Sequence, residues 1–123
     1  MKITKNIILL FLLILSTYNY SQETITADKA KDFLDKIISV EGKVVSYKLA
    51  PEGKKINYIN IDKKFPEKIF TVIITNDWLP KFNLNFEDLV NKIIIVKGKI
   101  SVYKNDSKQI PQIFNPISIE VKK

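Results

Sequence analysis

The chain has no cysteine, no histidine and no arginine, and it carries only three glycines. Without cysteine there is no disulfide, no thiol nucleophile, no thiolate metal ligand and no lipidated N-terminal cysteine. Without histidine the imidazole-based triads, imidazole metal sites and the usual neutral-pH proton shuttle are excluded. Gly42, Gly53 and Gly98 are isolated from one another, so no glycine-rich loop is available to cradle a phosphate. Carboxylates are present, but none forms a pair whose spacing places both in one cleft. Asp62 and Asp77 close two predicted strands and have no further support as an acid–base pair. No calcium-loop pattern occurs. The composition therefore points to a binding protein, not an enzyme, with no cofactor and no metal site.

What is abundant is lysine. All 20 basic residues are lysine, against 13 acidic residues, for a formal net charge of +7. Lys2 and Lys5 precede an uninterrupted apolar run from Ile7 to Leu15 and a polar exit at Ser16–Gln22. A cationic start, a short apolar centre and a polar exit read as a secretory signal peptide over residues 1–21. The apolar run is too short to span a bilayer. The expected mature chain is one periplasmic or secreted domain, residues 22–123, monomeric, held by packing alone and without a membrane anchor after cleavage. Its charge is uneven. Gln22–Glu41 has three lysines against five acids, whereas Gly42–Lys123 has 15 lysines against eight acids. A basic body of this kind attracts polyanions. Abundant lysine, isoleucine and asparagine without arginine also follows from AT-rich codons, and the two readings stand side by side.

The periodicity is mostly that of strands. Thr26-Ala-Asp-Lys-Ala-Lys-Asp-Phe-Leu offers an N-cap residue and an acid in the first turn. Ala30, Phe33, Leu34 and Ile37 share a face at helical spacing, which predicts a short amphipathic helix over about 27–35 that plugs one end of the core. Five strands are predicted, at about 37–48, 55–62, 69–75, 92–103 and 111–121. In the second, Ile59 and Ile61 face one way and Tyr58 and Asn60 the other. In the third, Phe70, Val72 and Ile74 alternate with Thr71, Ile73 and Thr75. Gly42 and Gly98 lie inside the first and fourth strands, where glycine marks a bulge or a sharp bend. Phe86-Glu-Asp-Leu-Val-Asn reads as one or two helical turns capped by Asn85. Pro111 and Pro116 suit an edge strand. No repeat or second domain is evident.

Five strands with a helix between the third and fourth is the layout of the oligonucleotide/oligosaccharide-binding (OB) fold. Ala27-Asp-Lys-Ala-Lys-Asp-Phe-Leu, Val40-Glu-Gly-Lys-Val-Val, Tyr58-Ile-Asn-Ile, Phe65-Pro, Phe70-Thr-Val-Ile-Ile, Val96-Lys-Gly-Lys-Ile and Pro111-Gln-Ile with Pro116 occur in that order. Together they resemble small bacterial OB-fold domains of the nucleic-acid-binding kind, some of which sit beside staphylococcal-type nuclease domains. The resemblance covers nearly all of residues 22–123 and implies an all-β, five-stranded OB barrel with a short N-terminal helix and a second short helix between strands three and four. It carries no nuclease portion. Two departures stand out: such domains often have glycine where this chain has Asp62, and glycine before the Pro-Gln-Ile segment, where it has Gln109-Ile110.

The resemblance also implies a site. OB barrels bind on the face of strands two and three, flanked by the loops joining strands one–two and four–five. Here that face presents Tyr58, Asn60, Thr71 and Thr75, with Lys54 and Lys55 at one rim and Lys104 and Lys108 at the other. Aromatics that stack bases inside a lysine groove suit binding of single-stranded nucleic acid with little sequence preference. Ordinary cross-strand packing is the competing role for Tyr58, and the pattern does not orient Tyr47 or Tyr103. Trp78 is expected to cap the core with Leu79 and Phe82. A second reading is an interaction module that binds an envelope protein or a glycan through the same face. A small hydrolase is the third, disfavoured by the missing histidine and cysteine.

Overall fold

The computed structural model describes residues 23–123, so the predicted signal segment lies outside the described residues. In chain order it comprises β1 (Thr24–Thr26), a 3-10 turn (Ala27–Asp32), β2 (Ile37–Lys48), β3 (Ile56–Ile61), β4 (Phe70–Thr75), a second 3-10 turn (Leu79–Lys81), α1 (Phe86–Leu89), β5 (Ile93–Val102), β6 (Pro111–Phe114) and β7 (Ser118–Val121). The architecture is all-β, as the periodicity indicates, but the strands number seven where five are expected.

The pairing order is β1-β2-β3-β4-β6-β5-β7, with β5 also paired to β2. The circuit β2-β3-β4-β6-β5 therefore returns to its start. Antiparallel pairs make up this circuit except at β4–β6, which is parallel. Within this circuit β2 serves two neighbours by bending: Ile37–Lys43 pair with β5, and Val44–Lys48 pair with β3 across a register shift between Val44 and Ser46, while β1 adds a parallel pairing along Ser39–Glu41.

Alternation explains the core. Ile38, Val40 and Val44 of β2, Ile59 and Ile61 of β3, Phe70, Val72 and Ile74 of β4, Ile94, Val96 and Ile100 of β5, and Ile113 of β6 are all buried. Each such side chain contributes about 1.5–3 kcal/mol when fully withdrawn from water. Gly42 and Gly98 occupy the inward slots of this alternation. A Cβ on Gly42 would lie 2.2 Å from Ile61 Cγ2, and one on Gly98 would lie 2.5 Å from Ile113 Cγ2. The missing side chains let an isoleucine from the opposing strand fill the narrow interior.

Three expectations change. The N-terminal helix is a 3-10 turn ending at Asp32, with Ala27 and Ala30 buried, Phe33 half-buried, and Leu34 and Ile37 42% and 63% exposed. Ile37 opens β2 instead, and six residues are too short a piece to sustain a wide apolar helical face. The fifth predicted strand breaks into β6 and β7 because Asn115 adopts a left-handed φ of 50° and Pro116 follows it. Finally, β6 is no edge: Pro111 is tolerated as its first residue, opposite Val102, and β7 takes the outer position.

The helical turn α1 matches expectation, and Asn85 caps it by accepting a hydrogen bond from the Glu87 amide (3.0 Å). Phe86 and Leu89 are buried, and the Phe86 ring meets Tyr47 edge-on with centroids 5.9 Å apart. Trp78 packs against the core with Leu79 and Phe82, as expected. Its Nε1 donates to the Pro116 carbonyl (2.9 Å), and Lys81 Nζ lies 3.6 Å from the ring centroid.

Candidate nucleic-acid interface

The outward faces of β3, β4 and β6 form the floor of a groove of about 600 Å³. The floor is lined by Ile56 and Tyr58 of β3, Thr71 and Ile73 of β4, and Gln112 and Phe114 of β6. One wall is the β3–β4 loop, with Phe65, Pro66 and Lys68. The other is the end of β5 and the β5–β6 loop, with Tyr103, Asp106, Ser107, Lys108 and Ile110. Phe65, Tyr103 and Phe114 are 75%, 58% and 50% exposed. Several large rings left in water around one concavity set this face apart from an ordinary polar surface.

Local sequence sets the walls. Asp106 organises the β5–β6 loop: Oδ2 accepts from the Ile110 amide (3.0 Å) and Oδ1 from the Lys108 amide (3.0 Å). Those two backbone donors hold the Asp106 carboxyl below its ordinary range. Gln109 takes a left-handed φ of 53°, and its side-chain amide donates to the Asp106 carbonyl (2.9 Å). This is one of the two places where the resembling domains have glycine. Asp62, the other, also takes a left-handed φ of 66°, and its Oδ1 accepts from the Lys43 amide (2.9 Å). The tight turn survives the missing glycine because aspartate tolerates that conformation and bonds the backbone itself. Lys108 Nζ reaches the Pro66 carbonyl (3.3 Å), joining the two walls, and Lys68 Nζ lies 6.0 Å from the Phe65 ring centroid.

Of the eight residues singled out from sequence, Tyr58, Thr71 and Lys108 line the groove. Asn60 shares their face but is engaged within the sheet: its Nδ2 donates to Ser46 Oγ (3.0 Å), and its Oδ1 accepts from Thr71 Oγ1 (3.2 Å). Thr75 is occupied at the β6–β7 turn, where its amide donates to Asn115 Oδ1 (2.9 Å) and its hydroxyl donates to Asp77. That hydroxyl holds the Asp77 carboxyl below its ordinary range. Lys54 and Lys55 lie outside the groove lining; their carbonyls accept from the Asn76 side chain and backbone amide. Lys104 is exposed and also outside the lining.

The sequence reading missed Phe65, Lys68, Gln112 and Phe114. Phe65 and Lys68 belong to a loop whose path no periodicity reveals. Phe114 and Gln112 were legible only as members of a strand, since their face depends on the parallel β4–β6 register. Asn57, 2% exposed, was also missed: its Oδ1 accepts from the Ala50 amide (2.8 Å), and its Nδ2 donates to the Ile74 carbonyl (2.9 Å) and to Asn76 Oδ1 (2.8 Å). It anchors the β2–β3 loop. Among the described residues no cluster of metal-ligating side chains occurs, and no helix is long and apolar enough to cross a membrane.

No protein-family model and no curated protein matches the chain by sequence. Solved structures do match. An OBody, AM2EP06, bound to hen egg-white lysozyme aligns at TM-score 0.58 and 16% identity, covering 83% of this chain and 94% of that one. A chain of the yeast Stn1 and Ten1 structure aligns at TM-score 0.57 and 16% identity, covering 85% of this chain and 65% of that one. A putative aspartyl-tRNA synthetase from Leishmania major Friedlin aligns at TM-score 0.52 and 9% identity, covering 83% of this chain. The present chain spans about a fifth of the synthetase, 21%, and just under two thirds of the Stn1–Ten1 chain. At these identities the likeness is one of backbone, and what it establishes is an OB fold.

Proposed function

We propose that the protein binds single-stranded nucleic acid in the groove over β3, β4 and β6. One observation carries the reading: Tyr58, Phe65, Tyr103 and Phe114 converge on a single concavity that also holds Lys68 and Lys108. Every base has a π-face, so a set of rings beside cations binds an unpaired strand through stacking and phosphate contact, at about 1–3 kcal/mol per stacked base. The excess of lysine over acid in Gly42–Lys123 adds long-range attraction for a polyanion. One neighbour of the same fold is named as a putative aspartyl-tRNA synthetase. The apolar Ile7–Leu15 run adds export to the proposal, which makes nucleic acid outside the cytoplasm the ligand; cell fractionation that leaves the protein in the cytoplasm would remove that part.

The test is fluorescence anisotropy of labelled oligonucleotides of about twelve nucleotides, within the range a single OB fold covers, at low and near-physiological salt. The expected outcome is micromolar affinity that weakens steeply as salt rises. Absence of binding at low salt refutes the reading. The exposed apolar area of Ile56, Phe65 and Phe114, and the lysozyme-bound OBody of the same fold, support a second reading in which the groove takes a protein. Salt-insensitive capture of an envelope protein, with no oligonucleotide binding, would favour it.

A further inference from the structure

The outward face of the sheet is ordered in rows that cross the strands. By register Lys48 of β2 faces Tyr58 of β3, Tyr58 faces Ile73 of β4, and Ile73 faces Phe114 of β6. Gln112 of β6 faces Ser101 of β5, so carrying that antiparallel register two residues on sets Lys99 beside Phe114. Facing residues stand on one side of a sheet, with neighbouring strands about 4.7–4.9 Å apart. The row therefore runs Lys48, Tyr58, Ile73, Phe114, Lys99 over about 19 Å. Two rings flank an isoleucine, and a lysine stands at either end. Lys48 and Lys99 are exposed, and neither lines the groove. The adjoining row, Ser46, Asn60, Thr71, Gln112 and Ser101, carries no charge.

No ion pair engages these terminal lysines. Among the described residues the one ion pair is Lys122 with Glu41. Glu52 follows Lys48 in the next loop, and the Asp35 amide donates to the Ile100 carbonyl (2.8 Å), yet neither carboxylate pairs with Lys48 or Lys99. The lysines inside the groove are less available. Lys108 Nζ donates to the Pro66 carbonyl, and both Lys68 and Lys108 lie near enough to the Asp106 carboxylate to favour its charged form. Along the strands the row is bounded at both ends. Beyond Thr71 the bond from Lys108 to Pro66 joins the two loop walls. Beyond Ile73 the Thr75 hydroxyl donates to the Asp77 carboxylate, whose charge repels phosphate. Across the strands the row ends in a cation on both sides.

We infer that Lys48 and Lys99 are phosphate-binding residues at the two ends of this row, so that an unpaired strand crosses β2, β3, β4, β6 and β5 along it; this rests on the nucleic-acid reading above. Bases stack on Tyr58 and Phe114, one on either side of Ile73, and the backbone that joins them carries its flanking phosphates out to the two lysines. An ammonium on a flexible stem is a point charge that meets phosphate whatever base lies beside it, so neither lysine reads sequence. The bound strand therefore reaches past the groove at both ends, onto β2 and β5.

The experiment is anisotropy of a labelled oligo-dT of about twelve nucleotides, titrated over a series of salt concentrations. The proteins are the wild-type full chain, Lys48→Gln, Lys99→Gln, the double variant and Lys123→Gln, with melting temperature as the check on folding. Glutamine keeps a polar side chain and removes the charge. Lys123 lies beyond β7 and off the row, so its substitution takes the same net charge from elsewhere. For a single strand the slope of log affinity against log salt is about −0.7 per phosphate neutralised. Each row variant is expected to flatten that slope by about 0.7 and the double variant by about 1.4, while Lys123→Gln keeps the wild-type slope. An unchanged slope in either row variant, or an equal change in Lys123→Gln, overturns the path and leaves the groove assignment intact. Failure of the wild type to bind overturns both.

Discussion

Replacing Gly98 with alanine places a Cβ 2.5 Å from Ile113 Cγ2 and 3.4 Å from the Pro116 Cα. The first distance is well inside van der Waals contact, and neither β5 nor β6 can retreat, since Ile100 and Ile113 are paired across them and both are fully buried. Overpacking of this kind costs about 1–3 kcal/mol, set against a propensity gain of about 0.5–1 kcal/mol on replacing a strand glycine. Ile113→Ala alone should cost about 2–5 kcal/mol through the cavity it leaves. In the double variant the clashing methyl is gone, so the costs should not add. We expect Gly98→Ala with Ile113→Ala to be more stable than the sum of the single changes by about 1 kcal/mol or more, within the coupling seen for touching residues. Urea unfolding followed by the fluorescence of Trp78, the sole tryptophan, measures all three variants, since its half-buried ring and its bond to Pro116 are lost on unfolding. Because Ile113 lies between Gln112 and Phe114, Gly98→Ala should also weaken oligonucleotide binding. Strict additivity, or a Gly98→Ala variant as stable as wild type, would refute the close-approach argument.

The remaining expectations concern the groove and its supporting turns. Tyr58→Ala and Phe114→Ala should each weaken binding of an unstructured oligonucleotide by about 1–3 kcal/mol, measured by anisotropy with melting temperature as the control for folding; unchanged affinity in both would remove stacking from the proposal. Asp62→Ala should be less stable than Asp62→Gly by about 1 kcal/mol in urea, because alanine must adopt the left-handed φ of 66° that glycine accepts freely. Equal midpoints would show that the Lys43 bond alone matters. The Asp106 carboxyl is held below its ordinary value by the Ile110 and Lys108 amides, so its contribution to the β5–β6 loop is present above the unfolded carboxylate value and is lost as pH falls through the lowered native one. Amide resonances of Ile110 and Lys108 should move together in that acid window in the wild type and stay still in Asp106→Asn; immobile wild-type resonances would contradict it.

The two periodicities of this chain carry very different amounts of information. Period-two alternation over Tyr58–Ile61 and Phe70–Thr75 placed Ile59, Ile61, Phe70, Val72 and Ile74 in the core correctly, because an inward slot admits only an apolar side chain or, at Gly42 and Gly98, none; Thr71, of the outward phase, is nonetheless only 3% exposed. Lysine excess and the missing cysteine and histidine bounded the chemistry, since those depend on composition alone. Helical spacing misled at Phe33, Leu34 and Ile37, where a short 3-10 turn gives way to a strand that the same residues also suit. Pro111 likewise looked like an edge residue because a missing N–H says nothing about which strand lies on the other side. The groove was legible only in part. Tyr58 and Thr71 follow from their strand phase, and Lys108 from its loop. Phe114 and Gln112 join them only through the parallel β4–β6 register, and Phe65 through a loop path that no local preference encodes. The sequence by itself determined which residues face inward and what chemistry is absent; tertiary structure decided which rings and which amide share one surface, because that depends on pairings between residues some 40 positions apart in the chain, as Thr71 and Gln112 are.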